Sequence, residues 1–223
     1  MKVFLILLLS FSIAKAQKLD TSYKAPTRKE NVIVVRSKID SANTLCVKGD
    51  ISYEMSLYEE GLSQFISANR IDENNIYILR SIGFGFLKLR KLDSSIFYLN
   101  KALQLYKDDK GSLHHLIYCY LYKLDYNKSE HLAESYRAKY PDEGESYYTL
   151  LLINRKLLRY EKAIKYAKKA IDLYTREKNN FLGDAYYMLG ILYYENKQHE
   201  IAKDYFKKAK DFGGVYVDPK YLI

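Results

Sequence analysis

The chain has 223 residues, 48% of them hydrophobic, and a formal net charge of +9. That is enough apolar material for one sizeable core or a short solenoid, while three prolines and the lack of strand-like alternation argue against an all-β fold. Tyrosine is used 24 times, so much of the expected core is amphipathic, with a phenol that can reach solvent or a partner.

Taken in order, the chain opens on a segment of a different kind. Lys2 gives a positive start, Val3–Leu9 and Phe11–Ala14 an apolar stretch of about a dozen residues, and Ala14-Lys15-Ala16 a small-x-small cleavage site before Gln17. Residues 1–16 therefore read as a secretory signal peptide, and the mature protein as exported, periplasmic or secreted. The apolar run is short for a spanning helix, which needs roughly 20 residues, and no later run approaches that length, so no spanning segment is expected in the mature chain. Residues 17–41 are expected to form a polar, flexible leader and the start of a first helix. Val32, Val35, Ile39, Ala42, Leu45 and Cys46 continue a helical spacing.

From residue 42 the sequence repeats itself. Each copy predicts two amphipathic helices joined by a polar turn, over 42–75, 76–109, 110–143, 144–182 and 183–212. The small residue of the second helix recurs as Gly61, Ser95, Ser129, Ala163 and Ala202. Its last buried slot recurs as Ala68, Ala102, Tyr136, Ala170 and Ala209. The first helix carries Gly49, Gly83 and Gly190 in phase, with Ile117 and Leu151 in the middle copies. Glycine costs a helix interior about 1 kcal/mol, so its retention predicts a close crossing of small residue on small residue, as at Gly190 and Ala202. Pro141 closes the third copy, and Asp142 and Glu143 favour the start of the next helix. Extra residues near 176–180 predict a longer second helix and loop in the fourth copy. Asp93 and Asp125 are expected to cap second helices. Gly213-Gly214 is a C-cap signal, and the apolar tail 213–223 is expected either to fold over the open end or into a groove, or to fray.

This period of about 34 residues, with Leu-Gly, then Tyr, then Ala, Phe and Ala, resembles the tetratricopeptide repeat (TPR) family, most fully in 183–209. The resemblance implies an all-α, right-handed superhelical solenoid of about five helix-turn-helix repeats, whose concave wall of first helices binds polypeptide segments. It places Tyr77, Arg80, Phe84 and Lys88 on that wall, then His114, Tyr118, Leu121 and Tyr122. Tyr148, Leu152, Arg155 and Lys156 follow, then Tyr187, Ile191 and Tyr194, with Asn43, Cys46, Asp50, Tyr53 and Glu54 in the first copy. The acid-binding clamp of some relatives needs Lys and Asn at inward slots of the first repeat; Cys46 and Asp50 stand there instead.

No catalytic constellation is present. His114 and His115 are adjacent and diverge on a helix; His131 and His199 stand alone; no H-E-x-x-H spacing occurs. Gly83-Phe84-Gly85 lacks the third glycine and the preceding strand of a dinucleotide loop. The lysines of second helices read as solvated faces, so nucleic acid is not expected as a partner. Cys46 and Cys119 lie two repeats apart, on the order of 20 Å, and are expected unbridged. The expectation is a non-enzymatic scaffold without cofactor or metal that binds another polypeptide. The alternative is an envelope assembly component that acts through the solenoid ends or self-associates at the C-terminal end.

Overall fold

The computed structural model describes residues 36–213. The signal segment, most of the leader and the tail after Gly213 lie outside the described residues. Ten α-helices follow one another among the described residues, with no strand there. They are α1 (Asp40–Glu54), α2 (Tyr58–Asn69), α3 (Ile76–Lys88), α4 (Leu92–Leu105) and α5 (Lys110–Tyr122). Then come α6 (Tyr126–Lys139), α7 (Gly144–Lys156), α8 (Tyr160–Glu177), α9 (Leu182–Glu195) and α10 (His199–Asp211). Each odd helix packs on the even helix after it. Each even helix then packs on the next odd one, and α3 also touches α5 directly. The core is correspondingly a row of clusters along the chain rather than one centre.

The first helix starts later than the leader's periodicity suggests. The Ser37 hydroxyl accepts from the Ile39 N–H at 3.0 Å, and residues 36–39 are irregular, so α1 begins at Asp40. A serine that satisfies the backbone locally competes with helix extension. Val32 and Val35 lie outside the described residues.

The turn within each pair is one device used five times. Ser56, Arg90, Leu124, Leu158 and Lys197 all have positive φ, between 57° and 64°. The next residue's N–H reaches back five residues: Leu57 to Ser52 O, Lys91 to Phe86 O, Asp125 to Tyr120 O, Arg159 to Asn154 O and Gln198 to Tyr193 O, at 2.8–3.0 Å. This is the left-handed helix stop that glycine usually makes. Here it is held without glycine, and Leu124 and Leu158 stand 68% and 69% exposed at it.

Between the helices of a pair, the small residue of the second lies against the backbone of the first. A Cβ at Gly61 would lie 2.9 Å from Gly49 O, and Ser95 and Ser129 donate hydroxyls to Gly83 O (2.7 Å) and Ile117 O (3.0 Å). The expected small-on-small crossing is therefore present at Gly49–Gly61 and Gly83–Ser95, and the glycines of the first helix also make room for a large side chain. The space at Gly49, Gly83 and Gly190 is filled by Phe65, Leu99 and Phe206, each 2.6 Å from where a Cβ would sit. In the middle pairs the volumes are exchanged: Ile117 shares a cluster with Ala133, and Leu151 with Ala167. Each pair thus fills the same space once, from one helix or from the other.

Asn75, Asp109 and Asp125 cap α3, α5 and α6, accepting from Ile78, Ser112 and Lys128 N–H at 3.3, 2.9 and 3.1 Å. Asp93 does not cap; it pairs with Lys123 at 2.5 Å in the next repeat. Tyr140, before Pro141, lies just beyond α6. α8 runs for 18 residues and stops at Lys178 in the left-handed region, which swings the loop 178–181 back toward α7.

Candidate functional site

A cavity of about 1170 Å³ opens along the middle of the solenoid. Its wall is Phe84 and Lys88 of α3, His114, His115, Tyr118 and Tyr122 of α5, Glu145 and Tyr148 of α7 and Asp184 of α9. Tyr174 of α8 and residues of the loops at 140–143 and 178–181 close one side. Tyr122 is 40% exposed on this wall.

The floor is built around Glu145, in the first turn of α7. Its Oε1 accepts from His114 Nε2 at 2.8 Å and from the Tyr118 hydroxyl at 3.4 Å, and its Oε2 from the Tyr174 hydroxyl at 2.6 Å. Burial pushes this carboxyl upward, but the hydrogen bond and charge of His114 and the phenols of Tyr174 and Tyr118 outweigh it and hold the group below its usual range. The same carboxylate, added to burial, pushes Tyr118 and Tyr174 well up. Burial, with His114, Arg80 and Lys88 nearby, pushes the His115 imidazole down to about 3, so it is neutral at ordinary pH.

The basic rim is held by rings. Arg90 lies over Tyr122 at 3.7 Å from the ring centre, and Lys88 over Phe84 and Tyr58 at 5.3 and 5.6 Å. Lys110 pairs with Glu143 across the cavity.

Of the residues the sequence places on the wall, Phe84, Lys88, His114, Tyr118, Tyr122 and Tyr148 line this cavity. The others do not. The Tyr77 hydroxyl donates to Asp50 at 2.5 Å, and Arg36 holds the other oxygen of that carboxylate at 2.7 Å. Arg80 pairs with Asp109 at 2.6 Å, and Arg155 grips Glu195 through two nitrogens at 2.9 and 2.5 Å. These are ties from one first helix to the next, Asp109 being the cap of α5. Tyr187 packs on Phe206, and Tyr194 on His199. Leu121, Ile191 and Cys46 are buried, and Lys156 is exposed beside the α7–α8 turn.

Arg90, Glu145, Tyr174 and the 178–181 loop are wall residues that the repeat pattern did not give. The signal for the last two was the extra length near 176–180. Arg90 sits in the turn and Glu145 in the first helical turn, outside the periodic inward-facing slots. Both cysteines are free and fully buried; burial raises the Cys46 thiol to about 12, with Asp50 adding to it, and the Cys119 thiol to about 11. No group of three or more metal-ligating side chains occurs among the described residues, and no helix there is long and apolar enough to cross a membrane.

Stacked helix pairs that shelter one another, with an open wall of first helices, define a helical-repeat protein of the interaction-scaffold class. Comparison with known proteins gives the family. Residues 142–212 match the tetratricopeptide repeat profile. Among solved structures, a thermophilic TPR protein of Thermus thermophilus, TTC0263, superposes with a TM-score of 0.68 at 16% identity, covering 76% of this chain and 90% of that one. MamA from Desulfovibrio magneticus RS-1 superposes with a TM-score of 0.62 at 20% identity, covering 79% and 97%. The RNA polymerase-associated protein CTR9 of Saccharomyces cerevisiae is 22% identical over 150 residues, 62% of this chain. The chain spans only 14% of that protein's length. Residues 142–212 therefore carry tetratricopeptide repeats, the described helices as a whole have the fold of the TPR neighbours, and that fold supports a protein–protein interaction scaffold.

Proposed function

We propose that the protein is exported through residues 1–16 and acts without catalysis, holding a segment of another polypeptide in the wall cavity between α3 and α9. The observation that carries this reading is the cavity itself. It is large enough for several side chains and walled by Phe84, Tyr118, Tyr122 and Tyr148, with cations stacked on the rings. Aromatic anchors beside Arg are the groups that dominate binding hot spots. Arg155 drops out of the binding set, because its guanidinium is committed to Glu195.

The test is capture of a partner from the native envelope by the mature chain, compared with a Tyr122→Ala/Tyr148→Ala variant and with helicity monitored. Loss of the captured species with helicity intact supports the groove; undiminished capture overturns it. Export has its own check: the mature protein recovered outside the cytoplasm should begin at Gln17, and a cytoplasmic chain retaining Met1 defeats it.

A second reading is self-association at the C-terminal end. The last pair supports it by leaving Ile201 and Phe212 42% and 52% exposed, with Phe212 stacked on Tyr186 at 5.4 Å. Light scattering across concentration separates the readings: a monomer throughout favours the groove, a growing oligomer the end.

A further inference from the structure

Charge along the cavity is segregated in chain order. The cations that line it are Lys88, Arg90, Lys110 and Lys139. The acids that line it are Asp142, Glu143, Glu145, Glu177 and Asp184. Every cation precedes every acid in the chain: Lys88 and Arg90 stand at the C-terminal end of α3 and in the turn after it, Asp142 and Glu143 just before α7, and Glu177 at the end of α8. Near the start of α7, Lys110 is already neutralised by Glu143, and Lys139 by Asp108. What remains falls in two places. Lys88 and Arg90 are stacked on Phe84 and Tyr122, and have no carboxylate partner among the described residues. In the other stand Asp142 and Glu177, both exposed, the latter turned to the Gly144 N–H at 3.1 Å.

Resting on the groove reading above, we propose that the cavity selects a polypeptide segment of fixed electrical polarity, with an acidic side chain toward the α3–α4 turn and a basic one toward the start of α7. The stacked rim supplies the discrimination at the acidic end. A guanidinium and an ammonium spread on aromatic faces have lost mobility and part of their hydration already, so a carboxylate meets a prearranged pair. His115, packed on Phe84 at 5.1 Å, carries no positive charge and therefore does not compete for the ligand's counter-charge. At the far end the acids exclude a second carboxylate and favour Lys or Arg. Polarity fixes the direction in which the segment lies, since reversal would set like charges against each other at both ends.

The test uses the mature chain and a displayed library of random twelve-residue peptides. The expected consensus is an acid at one end and a base at the other, with binding that weakens as salt rises. A Lys88→Glu/Arg90→Glu variant replaces two charges on the rim and should fold as the parent does, which its helicity checks. It should weaken the selected peptides roughly tenfold. Panned afresh, it should select a base where the parent selected an acid, while the other end of the consensus stays basic. Asp142→Lys should disturb only that second end. Peptides that compete at Tyr122 and Tyr148 but show no polarity, or a consensus unmoved by the charge reversal, overturn the polarity and leave the groove. Recovery of no peptide at all overturns both.

Discussion

Glu145 is the residue on which the cavity floor depends. Two phenols and an imidazole direct their donors at one carboxylate whose side chain is only 28% exposed. Replacing it with Gln leaves the shape but removes the charge that three donors face, and should cost about 1–3 kcal/mol at neutral pH. The pH dependence follows from the direction of its shift. The folded carboxyl titrates below its ordinary 4.5, so the unfolded chain takes up its proton first. Its stabilising contribution is therefore complete above that ordinary value and disappears as pH falls through the lower folded one. Urea midpoints of the parent and Glu145→Gln should be well separated at pH 7 and converge in acid, below the folded carboxyl's range. A separation that persists there would mean that the carboxylate's charge is not what the donors recognise. None of this was visible from spacing alone. The partners of Glu145 lie on two other helices, with His114 31 residues away. The inter-repeat ties to Tyr77, Arg80 and Arg155 span 27, 29 and 40 residues. Partners at unequal separations leave no period to read. That is why those three side chains looked like open wall and proved to be joints.

The helix pair was far more legible, because its constraints recur. Apolar spacing, the small residue of the second helix, the polar breaks at Asn75 and Asp109 and the proline stop at Pro141 all carry physical requirements of the same two-helix unit. What the repeat pattern hid was the exchange of volume within a pair. Gly190 looked like half of a small-on-small contact with Ala202; the structure gives its space to Phe206. A side chain at 190 and the ring at 206 therefore cannot both be large. Gly190→Leu alone should cost about 1–3 kcal/mol through overpacking. Phe206→Ala alone should cost about 3–5 kcal/mol through a cavity. Combined, they recreate the Leu151–Ala167 arrangement of the preceding pair, and the double variant should be more stable than the sum by about 1 kcal/mol or more. A thermal or urea cycle that comes out additive would show that the two sites do not share one space.

At the scale of the whole molecule, stability is passed from neighbour to neighbour. The clusters form a row, and the ties of Arg80 and Arg155 each join adjacent units only. A wedge at the end should therefore be felt at the end. Ala202→Phe, placed where α10 meets α9, should raise hydrogen exchange in α9 and α10 first and leave α1 to α4 protected. Uniform loosening would point to one indivisible core. The five turns complete the picture. Each is closed by main-chain bonds, so the residue that points outward from it is released from any duty to the interior, and serine, arginine, two leucines and lysine occupy one conformation. The solenoid thus has a margin on which side chains can be exchanged with little consequence for the stack. Selection is free to write there while the inner wall stays locked to its joints, and Arg90, which reaches from that margin onto Tyr122, shows how a change at the border becomes part of the page.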